Sequence, residues 1–333
     1  MTALASATHV SDGAGPLDRE IAGRPAWTRD ALRRDDWLLP IPDDCIEEIT
    51  RTIAILRLNP LDVRLLSPDD YPLRECREFM RSVKQVLNHG VGFAILDRLP
   101  IDRLTKEELT AAYWLLSSMI APPVAQSFDG RVLYDVRDTG QKIDTRVRGD
   151  LTRQELGWHT DYGFNFPPPH IGLLVMRTGK EGGDSCVSSM MTAHNVLRRR
   201  HPDLLARLYR PFHWNRQGEH PPGDLLTHRY PIFERDGEGV RARYIKWLLY
   251  KGYELVGEPF DELGKVALET MYDIMGEAEN CFWFTLEAGQ IQYLNNHRIA
   301  HKRTEYVDHD EPDAKRHLVR IFLRAEGRRS YMG

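Results

Sequence analysis

Three observations predict a mainly β chain with flanking helices. Short strand patterns dominate from about residue 131 onward, Gly and Pro are spread among them with no linker standing out, and helical segments sit between or beside them. A β-sandwich or jelly roll carrying helices on its outside satisfies all three. The strand patterns are "RVLYDV", "GWHTDY", "IGLLVMR" and "SCVSSM", then, after a helical interval, "CFWFTL", "QIQYLNN" and "HLVRIFLR".

Residues 1 to about 35 mix Ala, Gly, Ser and Asp without periodicity, which predicts a mobile or surface-draped arm ahead of one catalytic domain over 36–333. "YPLRECREFMRSVKQVLNHG" predicts a helix: Leu73, Cys76, Met80, Val83 and Leu87 form one apolar stripe, and Gly90 is placed to end it. "VGFAILD" (91–97) has the compact apolar pattern of a buried strand. Thr105 and Glu108 form a capping box with Leu104 and Leu109 as its hydrophobic staple, so another helix starts there. "HNVLRRR", "PDLLARLYR" and "DELGKVALETMYDIMG" predict three more, the last closed by Gly276. "FHWNRQGEHPPGDLLTHRYP" reads as a turn-rich stretch between elements.

Of the 333 residues 41% are hydrophobic and 28% charged, a balance that allows a sizeable core. The formal charge of −4 gives no overall electrostatic reason to expect nucleic acid or an anionic membrane as partner. Four scattered cysteines without a CxxC indicate neither a zinc knuckle nor a disulfide framework. The first twenty residues lack the charged start and apolar core of a signal peptide, and no run approaches a membrane span; a reducing, cytoplasmic location is expected.

The chemistry begins at "LGWHTDYGFN", where His159 and Asp161, two apart, point the same way from an extended strand. Alone, such a pair reads more readily as a hydrogen-bonded His/Asp on a solvated strand face. Far downstream, "LEAGQIQYLNNHRIAHKRTEY" offers His297 and His301 as a third ligand. Two imidazoles and one carboxylate on one face of a metal leave three open positions, the arrangement of non-haem Fe(II) oxygenases. In the last strand Arg316, Leu318, Arg320 and Phe322 alternate onto one face, with Val319, Ile321 and Leu323 on the other. One face can pack; the other sends two guanidiniums inward, and a buried guanidinium requires an anion.

From "NHGVGFAILDRLP" (88–100) to "HLVRIFLR" (317–324) the chain resembles the Fe(II)- and 2-oxoglutarate-dependent dioxygenases of the taurine dioxygenase and clavaminate synthase-like branch. The resemblance implies a double-stranded β-helix (jelly roll). It assigns the iron to His159, Asp161 and, through the pattern N-x-R-x-x-H in register with Asn296, Arg298 and His301, to His301 rather than His297. The "GGDS" turn puts Ser185 where a hydroxyl meets the distal carboxylate of 2-oxoglutarate, and Arg316, fifteen positions after His301, matches the arginine that binds the same group. Arg320 matches a position that meets the substrate's own acidic group in several members. Two departures are visible: Gln290 where an acidic residue is usual, and Ser185 in place of the commoner Thr.

The implied reaction couples decarboxylation of 2-oxoglutarate to succinate and CO2, with O2 as oxidant, to attack on an unactivated C–H bond, hydroxylation being the default outcome. Fe(II), 2-oxoglutarate and O2 are the expected cofactors. The expected partner is a small, acidic organic substrate, with no nucleic acid and no membrane; a homo-oligomer stays open. Two other readings compete: a cupin-like hydrolase or isomerase using zinc or manganese, which has no need of Arg316 and Ser185 where they stand, and a non-catalytic jelly-roll module for a small diacid, which has no use for three open metal positions. His213, His220 and His228 fit no common ligand spacing. Trp158 reads as packing, and Trp247 and Tyr250 as pocket lining or core.

Overall fold

A computed structural model describes residues 15–140, 149–237 and 239–332. Among these, eleven strands build two main sheets: β1 (Leu38–Pro40), β2 (Phe93–Asp97), β3 (Pro123–Val124), β4 (Leu133–Val136), β5 (Leu156–His159), β6 (His170–Arg177), β7 (Ser185–Ser189), β8 (Cys281–Phe284), β9 (Ile291–Asn295), β10 (Ile299–Arg303) and β11 (His317–Leu323). The larger sheet runs β1-β2-β9-β6-β11-β3, with β4 also paired to β11; the smaller runs β8-β7-β10-β5. Helices α1 (Asp43–Leu58), α2 (Arg74–His89), α3 (Lys106–Ile120), α4 (Met190–Arg200), α5 (Pro202–Leu208), α6 (Lys246–Val256) and α7 (Glu262–Gly276) flank them. The mainly β expectation with outer helices holds.

Helices α1 to α3 cover the outer face of the larger sheet. The α2 stripe of Cys76, Met80, Val83 and Leu87 is buried there against α1 and α3, together with Val319, Ile321 and Leu323 of β11. The α3 capping box forms as expected, Thr105 Oγ1 accepting from the Glu108 amide and Glu108 Oε2 from the Thr105 amide. Helices α4, α5 and α7 pack over the smaller sheet, whose Val187 and Ala300 share one core with Phe93 and Ile171 of the larger. Both sheets therefore bury both faces, which is why β7, β9 and β11 are buried along their whole length.

Helix α1 is absent from the sequence reading, and its apolar stripe explains why. Glu48 and Thr52 are buried on it among Cys45, Ile49 and Ile53. Glu48 accepts hydrogen bonds from the Glu75 and Cys76 amides at 3.1 and 3.0 Å. A carboxylate of α1 thus caps α2, whose own N-cap, Leu73, offers no side-chain acceptor. Those two bonds hold the Glu48 pKa down against the upward pull of burial.

The stretch from Phe212, read as turn-rich, is a hairpin. Phe212–Asn215 pairs antiparallel with Thr227–Tyr230. Arg216, fully buried, binds Asn165 Oδ1, Asp224 Oδ2 and the Leu225 carbonyl, so a charged residue holds the turn where apolar patterning is missing.

Residues 15–35, read from composition as an arm, lie draped over the smaller-sheet side. Leu17 and Trp27 are buried, Trp27 Nε1 donates to the Val91 carbonyl, and Asn195 pairs with both backbone groups of Ile21. Residues 1–14 of that arm lie outside the described residues.

Gly172 of β6 is fixed by close approach. A Cβ there would lie 2.6 Å from Tyr113 Oη on α3 and 2.8 Å from the Tyr293 ring on β9. Gly172→Ala is expected to destabilise the fold by about 1–3 kcal/mol through overpacking, read as a lower midpoint in urea. Tyr113→Phe, which removes the closest atom, should recover part of that loss; no change in midpoint for Gly172→Ala would contradict the packing described.

Candidate metal centre

His159 ends β5 and stands directly opposite His301 of β10 in the antiparallel register. Directly opposed residues bring their side chains together, and the two imidazole rings lie 4.1 Å apart between centroids. Asp161 follows just past the strand end, with its Oδ1 3.8 Å from His159 Nε2. One ligand atom from each of the three lies within 4.8 Å of the others, and no other such cluster of His, Cys, Asp or Glu occurs among the described residues.

Local backbone explains how Asp161 turns inward. Asn296 clamps it from both sides, its Oδ1 accepting from the Asp161 amide at 2.7 Å and its Nδ2 donating to the Asp161 carbonyl at 2.8 Å. Tyr162, the next residue, has a φ of 60°, a left-handed conformation costly for an aromatic residue. Its ring packs against Phe164, Phe322 and Tyr331, which hold the turn.

The donor set suits a divalent iron. His159 Nδ1 lies 2.9 Å from the Gly157 carbonyl, which fixes the proton on Nδ1 and leaves Nε2 as the lone-pair donor. Burial first, then His159 and Arg320, push the His301 pKa well below its ordinary value, so that imidazole is neutral as ligation requires. His297, the local competitor, lies outside the triad; its Nε2 faces the Pro167 carbonyl at 3.4 Å.

Behind the triad is a chamber of about 60 Å³ lined by Ser185, Gln292, His301, Arg303, Arg316 and Arg320 among others. Arg316 Nη1 and Gln292 Nε2 are buried donors with no hydrogen-bond partner among the described residues. Arg316 stacks on the Tyr306 ring at 4.8 Å, and burial lowers its pKa against the opposing pull of Tyr306 and Asp308. Two unsatisfied donors beside Ser185 are a fit for a carboxylate.

Arg320 is held differently. Its Nε donates to Gln126 Oε1 at 2.8 Å, Nη1 lies 3.6 Å from Asp161 Oδ2, and the guanidinium sits 4.9 Å from both the Tyr134 and Phe322 rings. On the other side of the triad a cavity of about 490 Å³ is lined by His159, Asp161, Tyr162, Phe164, Ile245, Trp247, Tyr272, Arg320 and Phe322, with Lys246 and Gln217.

The structure thus brings His159, Asp161, His301, Ser185, Arg316 and Arg320 to one place. Sequence reasoning missed Arg303, Gln292 and Gln126. Arg303 was within reach, since it lies two residues after His301 on one strand and alternation puts both on the same face. Gln290, flagged as a departure, does not touch the triad: it bonds Asp97 Oδ1 and the Glu287 amide. Trp158 stacks on Lys302 at 4.9 Å, a packing role. Trp247 lines the larger cavity, whereas Tyr250 donates to Glu269 and stacks near Phe260. His213, His220 and His228 bond Glu258, the Pro221 carbonyl and the Phe164 carbonyl separately.

A His/Asp/His face between two stacked sheets, backed by a buried arginine, defines the class: a mononuclear non-haem iron oxygenase on a jelly roll. The family described as "Taurine catabolism dioxygenase TauD, TfdA family" matches residues 63–322, and the chain belongs to it. Its activity is that of a 2-oxoglutarate-dependent dioxygenase, with Fe(II), 2-oxoglutarate and O2 as cofactors. The chain is 27% identical over 321 residues to FR-33289 synthase of Streptomyces rubellomurinus, covering 95% of this chain and 93% of that one. It is 24% identical to the taurine hydroxylase-like protein SAT17 of Stachybotrys chartarum, covering 92% and 80%. Asparagine oxygenase solved with Fe(II), hydroxyasparagine and succinate superposes with a TM-score of 0.64 at 17% identity, over 87% of this chain and 94% of that one. The iron oxygenase OrfP gives 0.66 at 14%, with the same coverage. These neighbours establish the double-stranded β-helix. Among the described residues no helix is long and apolar enough to cross a membrane.

Asn296→Ala removes both bonds to the Asp161 backbone. Loss of such a support is expected to weaken Fe(II) binding about 10–100-fold, measured by competition with a chromophoric chelator. Unchanged affinity would mean that the turn holds Asp161 without the clamp.

Proposed function

We propose that His159, Asp161 and His301 hold Fe(II), that Arg316, Ser185 and Gln292 take the distal carboxylate of 2-oxoglutarate, and that the substrate hydroxylated is a small acid whose anionic group meets Arg320. The observation that carries this reading is the placing of the triad between two cavities of opposite character. One is small and dense in cationic side chains, Lys302, Arg303, Arg316 and Arg320 against the single carboxylate of Asp161. The other is large and mostly aromatic, with Arg320 in its wall. An excess of buried positive charge favours anionic occupants.

When bound, the iron supplies activation of O2 for attack on a C–H bond. The chain's own residues position. Arg316 orients the diacid so that its keto-acid end faces the triad. Trp247, Tyr272 and Phe322 exclude water around the substrate. Arg320, already touching Asp161, ties the substrate's acid to the metal's own ligand. Taurine, named in the family's description and in the fungal relative, is a small acid. The hydrolase reading leaves Arg316 and Ser185 without a role, and the binding-module reading leaves the open triad without one.

Three substitutions test the roles. Asp161→Ala should abolish substrate-dependent succinate release; full activity would sink the ligand assignment. Arg316→Lys keeps charge but loses the planar fork, and a charge-assisted pair worth ~1.5–3 kcal/mol implies a fall in 2-oxoglutarate affinity of tenfold or more. An unchanged 2-oxoglutarate dependence would remove Arg316 from the role. Arg320→Gln should raise the substrate KM strongly across a panel of amino, sulfonic and aryloxy acids, while uncoupled 2-oxoglutarate turnover survives. A best substrate with no acidic group would contradict the Arg320 assignment.

A further inference from the structure

A third cavity, of about 290 Å³, lies behind Arg316, lined by Arg177, Thr178, Gly179, Lys180, Gly183, Asp184, Thr285 and Glu287 among others. It shares Leu286, Arg316 and Leu318 with the iron chamber, so those three side chains are the partition between them. The chamber in turn shares Leu156, His159, Asp161 and Arg320 with the large aromatic cavity. Among the described residues none lines both the aromatic cavity and the one behind Arg316. The three spaces therefore lie in series, with the triad toward one end and Arg316 toward the other.

We propose that 2-oxoglutarate enters the iron chamber, and succinate leaves it, through this vestibule behind Arg316 and not through the cavity that takes the primary substrate. The proposal rests on the reading that Arg316 binds the cosubstrate. Three features support it. The vestibule is walled by polar side chains and glycine backbone, which suits a hydrated dianion, whereas the other approach is aromatic. Its charges are of both signs, but one of its three carboxylates, Glu287, is paired with Arg98, its Oε2 accepting from Nη2 at 2.6 Å. Arg177 and Lys180 then lead an anion to a guanidinium whose Nη1 has no hydrogen-bond partner among the described residues. Arg316 is the door as well as the anchor: a swing of its long side chain opens the partition, and capture of a carboxylate draws it back. With a separate route, a substrate filling the aromatic cavity does not trap the spent diacid.

The test uses the native thiols' burial. All four cysteines are buried, so a cysteine placed at exposed Thr178 or Thr285 can be labelled selectively with a bulky maleimide. Stopped-flow absorbance follows formation and decay of the visible charge-transfer band of anaerobic Fe(II) protein with 2-oxoglutarate. A plugged route slows association and dissociation together and leaves the equilibrium Kd unchanged. The expected result for labelled Thr178→Cys or Thr285→Cys is a fall of tenfold or more in both rate constants with Kd within twofold of the unlabelled form. Labelled Trp247→Cys, at the aromatic cavity, should leave both rates within twofold. Unchanged rates at 178 and 285, or slowing only at 247, overturn the proposal. A changed Kd without matched rates would place the label in the binding site and overturn it too. Absence of any band in the unlabelled protein would instead remove the cosubstrate reading on which the route rests.

Discussion

The register between β5 and β10 is the constraint on which the site depends. Opposing His159 to His301 brings together two residues far apart in the chain, and a slip of one residue would turn one imidazole away from the other. Several contacts hold that register. β10 is paired on its other side by β7 over five residues, and β5 gains an antiparallel bridge from His159 to Ile245. Past His301 the β5 ladder becomes irregular, and Arg303 takes over, its guanidinium bonding the Thr152 and Gln154 carbonyls of the segment leading into β5. The loop before β5 is tied to β10 by a side chain that also lines the chamber.

From that register the electrostatics follow. Among the described residues Asp161 is the only carboxylate lining the chamber, and four cationic side chains line the same space. Arg303 is used on backbone carbonyls, Lys302 lies over the Trp158 and Trp283 rings, and Arg320 is steadied by Gln126 and Asp161. Arg316 Nη1 is buried with no hydrogen-bond partner among the described residues, which suits it to an anion from outside. The two inward arginines at and just before β11 are thus unequal: Arg316 keeps a donor open toward the chamber, and Arg320 is coupled to the Asp161 carboxylate.

Strand alternation carried most of what was legible beforehand. His159 with Asp161, and Arg316 with Arg320, are patterns of period two, and a period of two survives translation into structure because strands have no other way to aim side chains. The apolar stripe of α2 was legible for the same kind of reason at a period of 3.6. What escaped was polar residues working at a distance. Glu48 and Thr52 interrupt the stripe of α1 because one of them caps another helix. Arg216 replaces apolar pattern in the hairpin after α5. Gln292 reads as an ordinary strand residue, and Asn296 as part of a motif, until the fold sets one against the chamber and the other against the Asp161 backbone. None of these roles has a local spacing, because each partner comes from a distant part of the chain.

If one triad serves two chambers, the diacid lies against Arg316 and the substrate side stays clear. A crystal structure of the protein soaked anaerobically with Fe(II) and 2-oxoglutarate tests it most directly. The expected result is iron bonded to His159, Asp161 and His301, the distal carboxylate on Arg316, Ser185 and Gln292, and an aromatic cavity free of diacid. A diacid seated on Arg320 in the aromatic cavity, or iron bound through His297, would contradict it.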